Sequence, residues 1–280
     1  MIAETPHGLA RLSTRPSLRT YVRSVWERRE FAFAMSVGEM RARHSNMILG
    51  GLWHVLTPLL LIGVYYLIFG VLLGVDRGVE NFIGFLAVGI FVYQFSQRSI
   101  VGGSSSISNS IGLIRSLQFP RAILPLSTVF REFLMLRAAA VVTVTVVIVT
   151  GEGVSLSWLL VLPLVAIQFV FNLGAALFVA RAADRVPDLT NLLPFVFRIL
   201  FYMSGVLFLV DRFVTDPAIK ALFVLNPLYC FVSIPREYML STLDQQDVVL
   251  MWVSVSVWAL AAFVIGLVVF RSGESEYGRA

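Results

Sequence analysis

The sequence has few charged residues. Asp, Glu, Lys and Arg make up 14% of its 280 residues, whereas about 25% is usual for a soluble domain. Hydrophobic residues account for 58% of the chain. This composition excludes an ordinary soluble protein. It predicts an all-α membrane protein, because lipid offers no partners for backbone N–H and C=O groups and a helix satisfies its own.

Cysteine and histidine are nearly absent as well. Cys230 is the single cysteine, so the chain cannot form an internal disulfide. The three histidines, His7, His44 and His54, do not have the spacing to cysteines or carboxylates that metal ligands show. No metal site is therefore predicted.

Motifs that would supply energy or catalysis are also missing. No G-x-x-x-x-G-K-[ST] sequence occurs, and VGGSSSIS at 101–108 lacks the lysine that contacts phosphate. Within the long apolar runs Glu132 is the single carboxylate, although ion-coupled transporters and membrane-embedded acid–base enzymes depend on such groups. We therefore expect no enzyme and no cofactor in this chain, and an energy source in another protein.

Six apolar runs have about the 20 residues that a helix needs to cross a bilayer. They lie at 52–73, 82–101, 128–150, 156–180, 191–210 and 249–270. The sequence thus predicts one six-helix transmembrane domain at 52–270, preceded by a tail at 1–20 and an interface helix at 21–46, and followed by a tail at 271–280.

Arginine is distributed unevenly among the segments between these runs. The N-terminal region and the loops after the second and fourth runs hold most of it, whereas the other loops hold mainly carboxylates. Because cytoplasmic loops are rich in Lys and Arg, both termini are predicted to be cytoplasmic. The net charge of +5 is then explained without a nucleic-acid partner.

Residues 21–46 have an amphipathic pattern. Val22, Trp26 and Phe33 fall on one helical face and charged residues on the other, which predicts a helix lying in the membrane interface. Two roles are open: an anchor on anionic headgroups, or a lateral entry for a lipid-linked anionic substrate. The arginines that would contact such a headgroup are Arg28, Arg29, Arg41 and Arg43.

A short helix is predicted at 104–119, between the second and third spans. Gly102-Gly103 and the serines after them are expected to break the preceding helix. Ile107, Ile111 and Ile114 then recur at helical spacing before Pro120 ends the segment. This helix is too short to cross a membrane, and its apolar face needs a partner surface.

The loop at 211–248 contains the apolar stretch LNPLYCFVSIPREYML at 225–240. Its length suits a re-entrant or interfacial segment, and its two prolines interrupt it. Irregular backbone at membrane depth is tolerated where protein covers it, so re-entrant gate helices at the outer mouth are predicted. The candidate gate residues are Asn226, Pro227, Tyr229 and Arg236.

Aromatic and polar residues occur inside the spans. The aromatic residues either pack or line a path on which a glycan slides, since aromatic faces offer apolar area without a fixed hydrogen-bond register. Arg198 either extends to the membrane surface or pairs with Asp184 or Asp188, or it contacts a phosphate or sugar from a cavity. Gln94, Gln97, Gln168 and Asn172 are expected to form interhelical hydrogen bonds. The candidate path residues are Tyr65, Tyr66, Phe69, Phe91, Tyr93, Arg198, Phe201 and Tyr202.

The stretch NSIGLIRSLQFPRAILPL at 109–126 resembles the signature of permease subunits of type-2 ATP-binding-cassette polysaccharide exporters. ARAADRVPDL after the fourth span, SGVLF at 204–208 and the apolar stretch at 225–240 resemble further elements of that family. The likeness extends over nearly the whole chain from about residue 21. Among O-antigen, teichoic-acid and mycobacterial galactan exporters, the Ser-Gly-Val step at 204–206 favours the last two.

The resemblance implies that the segment at 104–119 is a coupling helix that docks on an ATPase subunit. It also implies that two copies of the chain and two ATPase subunits, which bind ATP and Mg, export a polyprenyl-pyrophosphate-linked glycan across the bacterial inner membrane. The coupling residues that match the signature are Asn109, Leu113, Ile114, Arg115, Phe119, Pro120 and Arg121.

Three other functions remain as alternatives. A drug or lipid exporter of the same superfamily would share the coupling helix without needing a wide aromatic passage. A membrane-embedded glycosyltransferase would need clustered carboxylates or a nucleophile–base pair, which the sequence lacks. A membrane scaffold is disfavoured by the arginine within the fifth span, and copurification with an ATPase distinguishes it from a transporter.

Overall fold

The computed structural model of the chain describes residues 17–42, 53–74, 79–214, 216–241, 247–274 and 276–277. Every regular element in these ranges is helical. A π-helical segment, Tyr66–Leu72, and two 3-10 turns, Ser108–Ser110 and Leu156–Leu160, accompany the α-helices. The α-helices in chain order are α1 (Leu18–Glu27), α2 (Arg29–Ala42), α3 (Trp53–Tyr65), α4 (Phe82–Ser104), α5 (Ile111–Ser116), α6 (Ile123–Val149), α7 (Val161–Arg185), α8 (Leu189–Met203), α9 (Val210–Phe213), α10 (Pro217–Leu225), α11 (Pro227–Met239) and α12 (Val248–Ser272).

All six apolar runs form helix, but not all form helices of membrane-crossing length and composition. In the described ranges three helices are long and apolar enough, Ile123–Val149, Leu156–Arg185 and Val248–Ser272. The pair α10–α11, bent by 91°, makes a fourth if it counts as one broken span. Leu56–Leu72 and Leu189–Met203 are shorter apolar helices. The six-span arrangement therefore remains a prediction.

Two helix ends differ from the expected ones for identifiable reasons. The break expected at Gly102-Gly103 and the serines after them occurs at the serines, because α4 continues through both glycines and ends at Ser104. Gly103 instead allows close packing, since a Cβ there would lie 2.6 Å from the Cβ of Ala176 on α7. The fifth apolar run stops being helical at Met203, and Gly205 follows in a left-handed conformation (φ 61°), which favours glycine.

The core is built on α4, which packs against α6 and α7, while α12 packs along α7. The α7–α12 contact is backbone to backbone at Gly174 and Gly266. A Cβ on Gly174 would overlap backbone atoms of Ala262 and Phe263, and one on Gly266 would overlap the carbonyl of Gly174. These two helices therefore form a close pair that larger side chains would separate.

Polar residues connect α4 and α7 inside the bundle. The interhelical hydrogen bonds expected of Gln168 are confirmed, because its amide donates to Val92 O and Ser96 Oγ, both at 2.9 Å. Gln94 instead accepts from Arg98 within its own helix. Asn172 is fully buried, and its side-chain amide has no hydrogen-bond partner in the described part of the chain.

The helices define two ends of the molecule. At the arginine-rich end lie α1, α2, the segment that joins α4 to α6, and the residues after α12. At the opposite end Asn81, Thr150, Glu152 and Ser241 are joined by hydrogen bonds, and α11 packs against α4. The predicted interface helix at 21–46 is seen as two helices, α1 and α2, which meet at Arg28.

Candidate functional site

The segment between α4 and α6 is less helical than the sequence pattern predicts. Instead of one helix over 104–119, a 3-10 turn at Ser108–Ser110 leads into α5, which has six residues. Leu117 is extended (φ −130°, ψ 145°), and the chain stays irregular to Pro120. Pro120 disfavours the helical conformation at Phe119, so a helix could not continue from α5 through this point. We call residues 105–121 the coupling segment.

The coupling segment presents a mixed apolar and basic surface. Asn109 and Arg115 are exposed, Leu113 and Ile114 are half-buried, and Leu117 is 50% exposed. A surface that combines these apolar residues with arginine suits a protein partner, because exposed apolar patches commonly mark such contacts. The structure thus places the predicted coupling residues at one exposed site.

Helix α2 supports the coupling segment from one side. The Phe31 and Phe119 rings meet edge to face with centroids 5.5 Å apart. At the junction of α1 and α2, the Arg28 guanidinium donates to the backbone carbonyl of Gln118. Arg28, expected as a contact for lipid headgroups, therefore also holds the coupling segment.

The other candidate headgroup arginines are less constrained by the structure. The guanidinium of Arg29 lies over the Trp26 ring, 5.2 Å from its centroid, and its side chain is exposed. Of Arg41 the structure describes the backbone within α2, and Arg43 lies outside the described residues. A headgroup contact at these arginines stays a prediction.

The chain that follows α12 holds the coupling segment from the other side. Glu274 accepts a hydrogen bond from the backbone N–H of Arg121 at 2.9 Å and another from the Tyr21 hydroxyl at 2.6 Å. The Arg121 guanidinium donates to the Glu274 carbonyl. Burial raises the pKa of the Glu274 carboxyl, and the hydrogen bonds from Tyr21 and Arg121 oppose that rise. Three elements distant in sequence therefore meet at one carboxylate.

Sequence reasoning missed Tyr21 and Glu274. The available signal was charge, because Glu274 and Glu276 lie at the predicted cytoplasmic end, where arginines predominate. Unlike charges at the same end favour pairing, but the sequence does not say which arginine each carboxylate meets.

A polar cavity of about 330 Å³ lies behind the coupling segment, between α2 and α6. Its lining includes Glu39, Asn109, Thr128 and Arg131. Arg131 is buried and pairs with Glu39 and with Glu132, the latter at 3.0 Å. Glu132, the single carboxylate of the apolar runs, is therefore neutralised by a neighbouring arginine, as buried carboxylates require.

The candidate path aromatics are divided between two sides of α4. Tyr93 is buried, its hydroxyl donates to the carbonyl of Phe197, and its ring meets Phe201 with centroids 5.2 Å apart. Tyr65 and Phe69 extend this cluster onto α3 and the π-helical segment. Tyr93 is thus packed in the bundle, whereas Tyr65, Phe69 and Phe201 are half-buried, and their part in a path stays a prediction.

Phe91 lies apart from that cluster. It is buried and contributes to the wall of an apolar cavity of about 650 Å³ between α4, α6 and α7. The candidate path residues are therefore not brought together as one wall.

The remaining path candidates are exposed on the π-helical segment and on α8. Tyr66 and Tyr202 are 36% and 50% exposed, and Arg198 is exposed beside them on α8. Among the described residues no ion pair joins Arg198 to Asp184 or Asp188, because Asp184 pairs with Arg181 at 3.0 Å. Extension of Arg198 to the membrane surface and contact with a ligand both stay predictions.

The opposite end has the bent pair expected of a re-entrant segment. Asn226 caps α11 by accepting from the Leu228 N–H at 3.0 Å, and Pro227 occupies the first turn, where a missing N–H costs nothing. Tyr229 is buried against Phe223. Asn226 and Pro227 thus form the corner between α10 and α11.

Arg236 is held in place at this end by hydrogen bonds. It is 2% exposed and donates to the carbonyls of Phe85, Gly205 and Val206 at 3.1, 2.8 and 2.6 Å. Its guanidinium also covers the Phe85 ring. Arg236 therefore joins α11 to α4 and to the turn after α8.

Within the described ranges, no group of three or more His, Cys, Asp or Glu side chains is arranged to hold a metal ion. The buried carboxylates are occupied by arginines, tyrosine or backbone donors instead.

Comparison with known proteins gives consistent results. The family described as ABC-2 type transporter matches residues 30–240. An O-antigen export system permease protein, RfbA, from Klebsiella pneumoniae is 27% identical over 235 residues, covering 83% of this chain and 88% of that protein. A protein of the same name from Myxococcus xanthus is 26% identical over 251 residues, covering 85% of this chain and 94% of that protein.

Proposed function

Since the chain belongs to the ABC-2 type transporter family, we propose that it is the permease subunit of a polysaccharide exporter driven by a separate ATPase. The observation that carries this proposal is the exposed coupling segment, which is short, apolar and basic, and is held in place from both sides. The relatives named as O-antigen export permeases support a polysaccharide cargo.

The coupling segment is suited to transmit a movement of the ATPase subunits to the helices on either side of it. It follows α4 directly at one end, and residues 117–122 connect α5 to α6 at the other. Closure of two ATPase subunits on ATP would displace α5 as a lever, and α4 and α6 would tilt with it. The Phe31–Phe119 contact and the Arg28–Gln118 bond would carry the same displacement to the interface helix α2.

The cargo path would form between two copies of the chain. The exposed face of α3 and α8 presents large apolar side chains, including Leu60, Val64, Phe195 and Ile199, together with Arg198. Exposed apolar side chains of this kind favour contact with a second protein surface or with lipid. A polyprenyl-pyrophosphate-linked glycan would then pass along Tyr66, Tyr202 and Arg198, with the arginine meeting its phosphates or hydroxyls.

The proposal places the chain in the bacterial inner membrane with both termini in the cytoplasm. Its arginine-rich end holds α1, the coupling segment and the residues after α12, as the positive-inside rule predicts for a cytoplasmic face. ATP and Mg would be bound by the ATPase subunits, and the permease would contact nucleotide only through them.

The test is copurification from the native host followed by reconstitution in vesicles. We expect an ATPase to copurify, and its ATP hydrolysis to rise when lipid-linked glycan from the host is added but not when amphipathic drugs are added. Stimulation by drugs alone would assign the chain to a drug exporter of the same family, and absence of any ATPase would contradict the proposal.

A charge reversal on the coupling segment sharpens this test. Arg115→Glu should lower glycan-stimulated ATP hydrolysis without preventing membrane insertion, because the side chain is exposed on the proposed docking surface. Arg212→Glu, at an exposed arginine of the opposite end, is the matched control and should leave stimulation unchanged.

A further inference from the structure

The residues after α12 fold back onto the bundle and make contacts beyond those of Glu274. Tyr277 is buried, its ring lies against Phe270 with centroids 4.8 Å apart, and its hydroxyl donates to the Phe270 carbonyl at 2.7 Å. On α7, the buried guanidinium of Arg181 lies over the Tyr277 ring and pairs with Glu276. We call Gly273, Glu274, Glu276 and Tyr277 the C-terminal strap.

The strap is anchored to a rigid pair of helices. It continues directly from α12, and Arg181 fixes it to α7. The backbone contact at Gly174 and Gly266 holds α7 and α12 together further along the bundle. A displacement of the strap therefore cannot occur without either moving this helix pair or breaking the Arg181 contacts.

The other side of the strap is bound to the coupling segment. The two oxygens of one carboxylate accept from different elements, with the Arg121 backbone N–H on one and the Tyr21 hydroxyl on the other. Arg121 is the last residue of the coupling segment and lies two residues before α6. The contact is thus made where the coupling segment joins α6, which is the point at which a push on the segment would reach the membrane domain.

From these contacts we infer that the C-terminal strap is a positioning element for transport, which links the coupling segment to the α7–α12 pair so that the two move as one body. This inference rests on the proposed function for its biological meaning. The covalent chain by itself would deliver a push on α5 to α4 and α6. The strap adds α7 and α12 to the moving group.

The strap's composition supports a binding role over mere surface packing. It places carboxylates at an end where arginine predominates, and its charged groups meet specific donors on three elements. Hydrogen bonds to charged groups are stronger than neutral ones, so the connection resists separation during a push. Glu274 is a positioning residue in this scheme, since it acts through Arg121 and Tyr21 and touches no cargo.

The first experiment measures backbone amide hydrogen exchange in the purified full-length chain, which needs no ATPase. Glu274→Ala removes both acceptors, and we expect exchange of the Arg121 amide to rise about fivefold or more, the effect of losing one ordinary hydrogen bond. Glu274→Gln keeps one acceptor oxygen and should give a smaller rise. Glu80→Gln, an exposed carboxylate of the opposite end, is the control.

The second experiment measures movement in the complex with ATPase. Spin labels are placed at Ser116→Cys and Ser272→Cys, both exposed, in a Cys230→Ser background. With Glu274 present, the distance between the labels should be the same with and without ATP, because the two sites move together. With Glu274→Ala the distance distribution should broaden or shift when ATP binds.

The two experiments separate the failure of this inference from the failure of the proposed function. The inference is overturned if exchange of the Arg121 amide is unchanged in Glu274→Ala. It is also overturned if ATP changes the distance between the labels by the same amount with and without Glu274. If no ATPase binds the chain, the proposed function fails, while the exchange measurement still decides whether the strap holds the coupling segment. A merely structural strap would protect Arg121 but leave the ATP-dependent distance insensitive to Glu274, which also overturns the inference.

Discussion

The two ends of the molecule bury arginine in different ways. At the opposite end Arg236 has backbone carbonyls as hydrogen-bond partners, three of them from two separate parts of the chain. At the arginine-rich end Arg131 and Arg181 pair with carboxylates. Some of these partners are partly open to solvent, since the side chains of Glu39 and Glu276 are 33% and 51% exposed.

The difference concerns how easily each contact rearranges. A carbonyl is fixed by the backbone, so Arg236 cannot leave its site without breaking three hydrogen bonds whose acceptors cannot follow it. A carboxylate on a flexible side chain can exchange one arginine for another or for water. The opposite end is therefore suited to hold one geometry, whereas the partly exposed pair of Arg131 with Glu39 can rearrange while the contacts of Glu274 hold.

The largest effect on stability is expected from Arg236→Met, which tests the opposite end. It should lower the free energy of unfolding by about 3 kcal/mol or more, because three buried carbonyls lose their donors at once. Unfolding of the detergent-solubilised protein, followed by circular dichroism, measures this. Arg212→Met, at an exposed arginine of the same end, should cost little, and a similar loss in both variants would contradict the role of Arg236.

The second prediction uses a rescuing second substitution to distinguish the carboxylate partners at the arginine-rich end from the backbone partners at the opposite end. Arg131→Met should lower the free energy of unfolding by about 2 kcal/mol, because the buried Glu132 loses its counter-charge, although water can enter the adjacent cavity. Adding Glu132→Gln should recover at least half of that loss. No second side-chain substitution can restore the stability lost in Arg236→Met in this way, because the partners of Arg236 are backbone groups. A double variant no more stable than Arg131→Met would refute the ion-pair account.

A third prediction concerns the aromatic contact of the coupling segment. Phe119→Ala should cost about 1 kcal/mol of stability, the worth of an edge-to-face pair, and should also reduce ATPase stimulation by the cargo. The control is Phe33→Ala, which removes the similar Phe33–Phe130 contact, with centroids 5.8 Å apart, away from the coupling segment. Equal loss of stimulation in both variants would show that general destabilisation is responsible.

The smallest effect is expected from Glu39→Gln. Its side chain is one-third exposed, so its pairing with Arg131 is screened, and we expect a loss of about 0.5 kcal/mol or less. Higher salt should reduce the difference from the unmodified protein further. A loss as large as that of Arg131→Met would mean that the arginine-rich end is as rigid as the opposite end, and the contrast between them would disappear.

Much of the fold was predictable from local pattern. Each apolar run forms helix, and the re-entrant pair was indicated by Pro227 and by the length of the apolar stretch around it. The boundaries were less accurate. Gly102-Gly103 was interpreted as a break because glycine disfavours helix, whereas packing against Ala176 makes glycine the residue that fits there.

The candidate site was predicted in its location but not in its connections. Asn109, Leu113 and Arg115 lie on one exposed segment, as the motif implied. The residues that hold this segment, Tyr21 and Glu274, carry no local signal, because their hydrogen bond joins positions 253 apart in the chain. Arg28 was assigned to lipid for the same reason, since its partner Gln118 is 90 residues away.

The sequence by itself determined that this protein is helical and lies in a membrane, and it located the exposed basic segment between two helices. Those properties follow from hydropathy, periodicity and charge within a few helical turns. Tertiary structure alone decided which arginines are buried and which groups they meet. Hydrogen bonds act over about 3 Å, so the partners of Arg236, Arg181 and Glu274 are defined only once distant helices have packed.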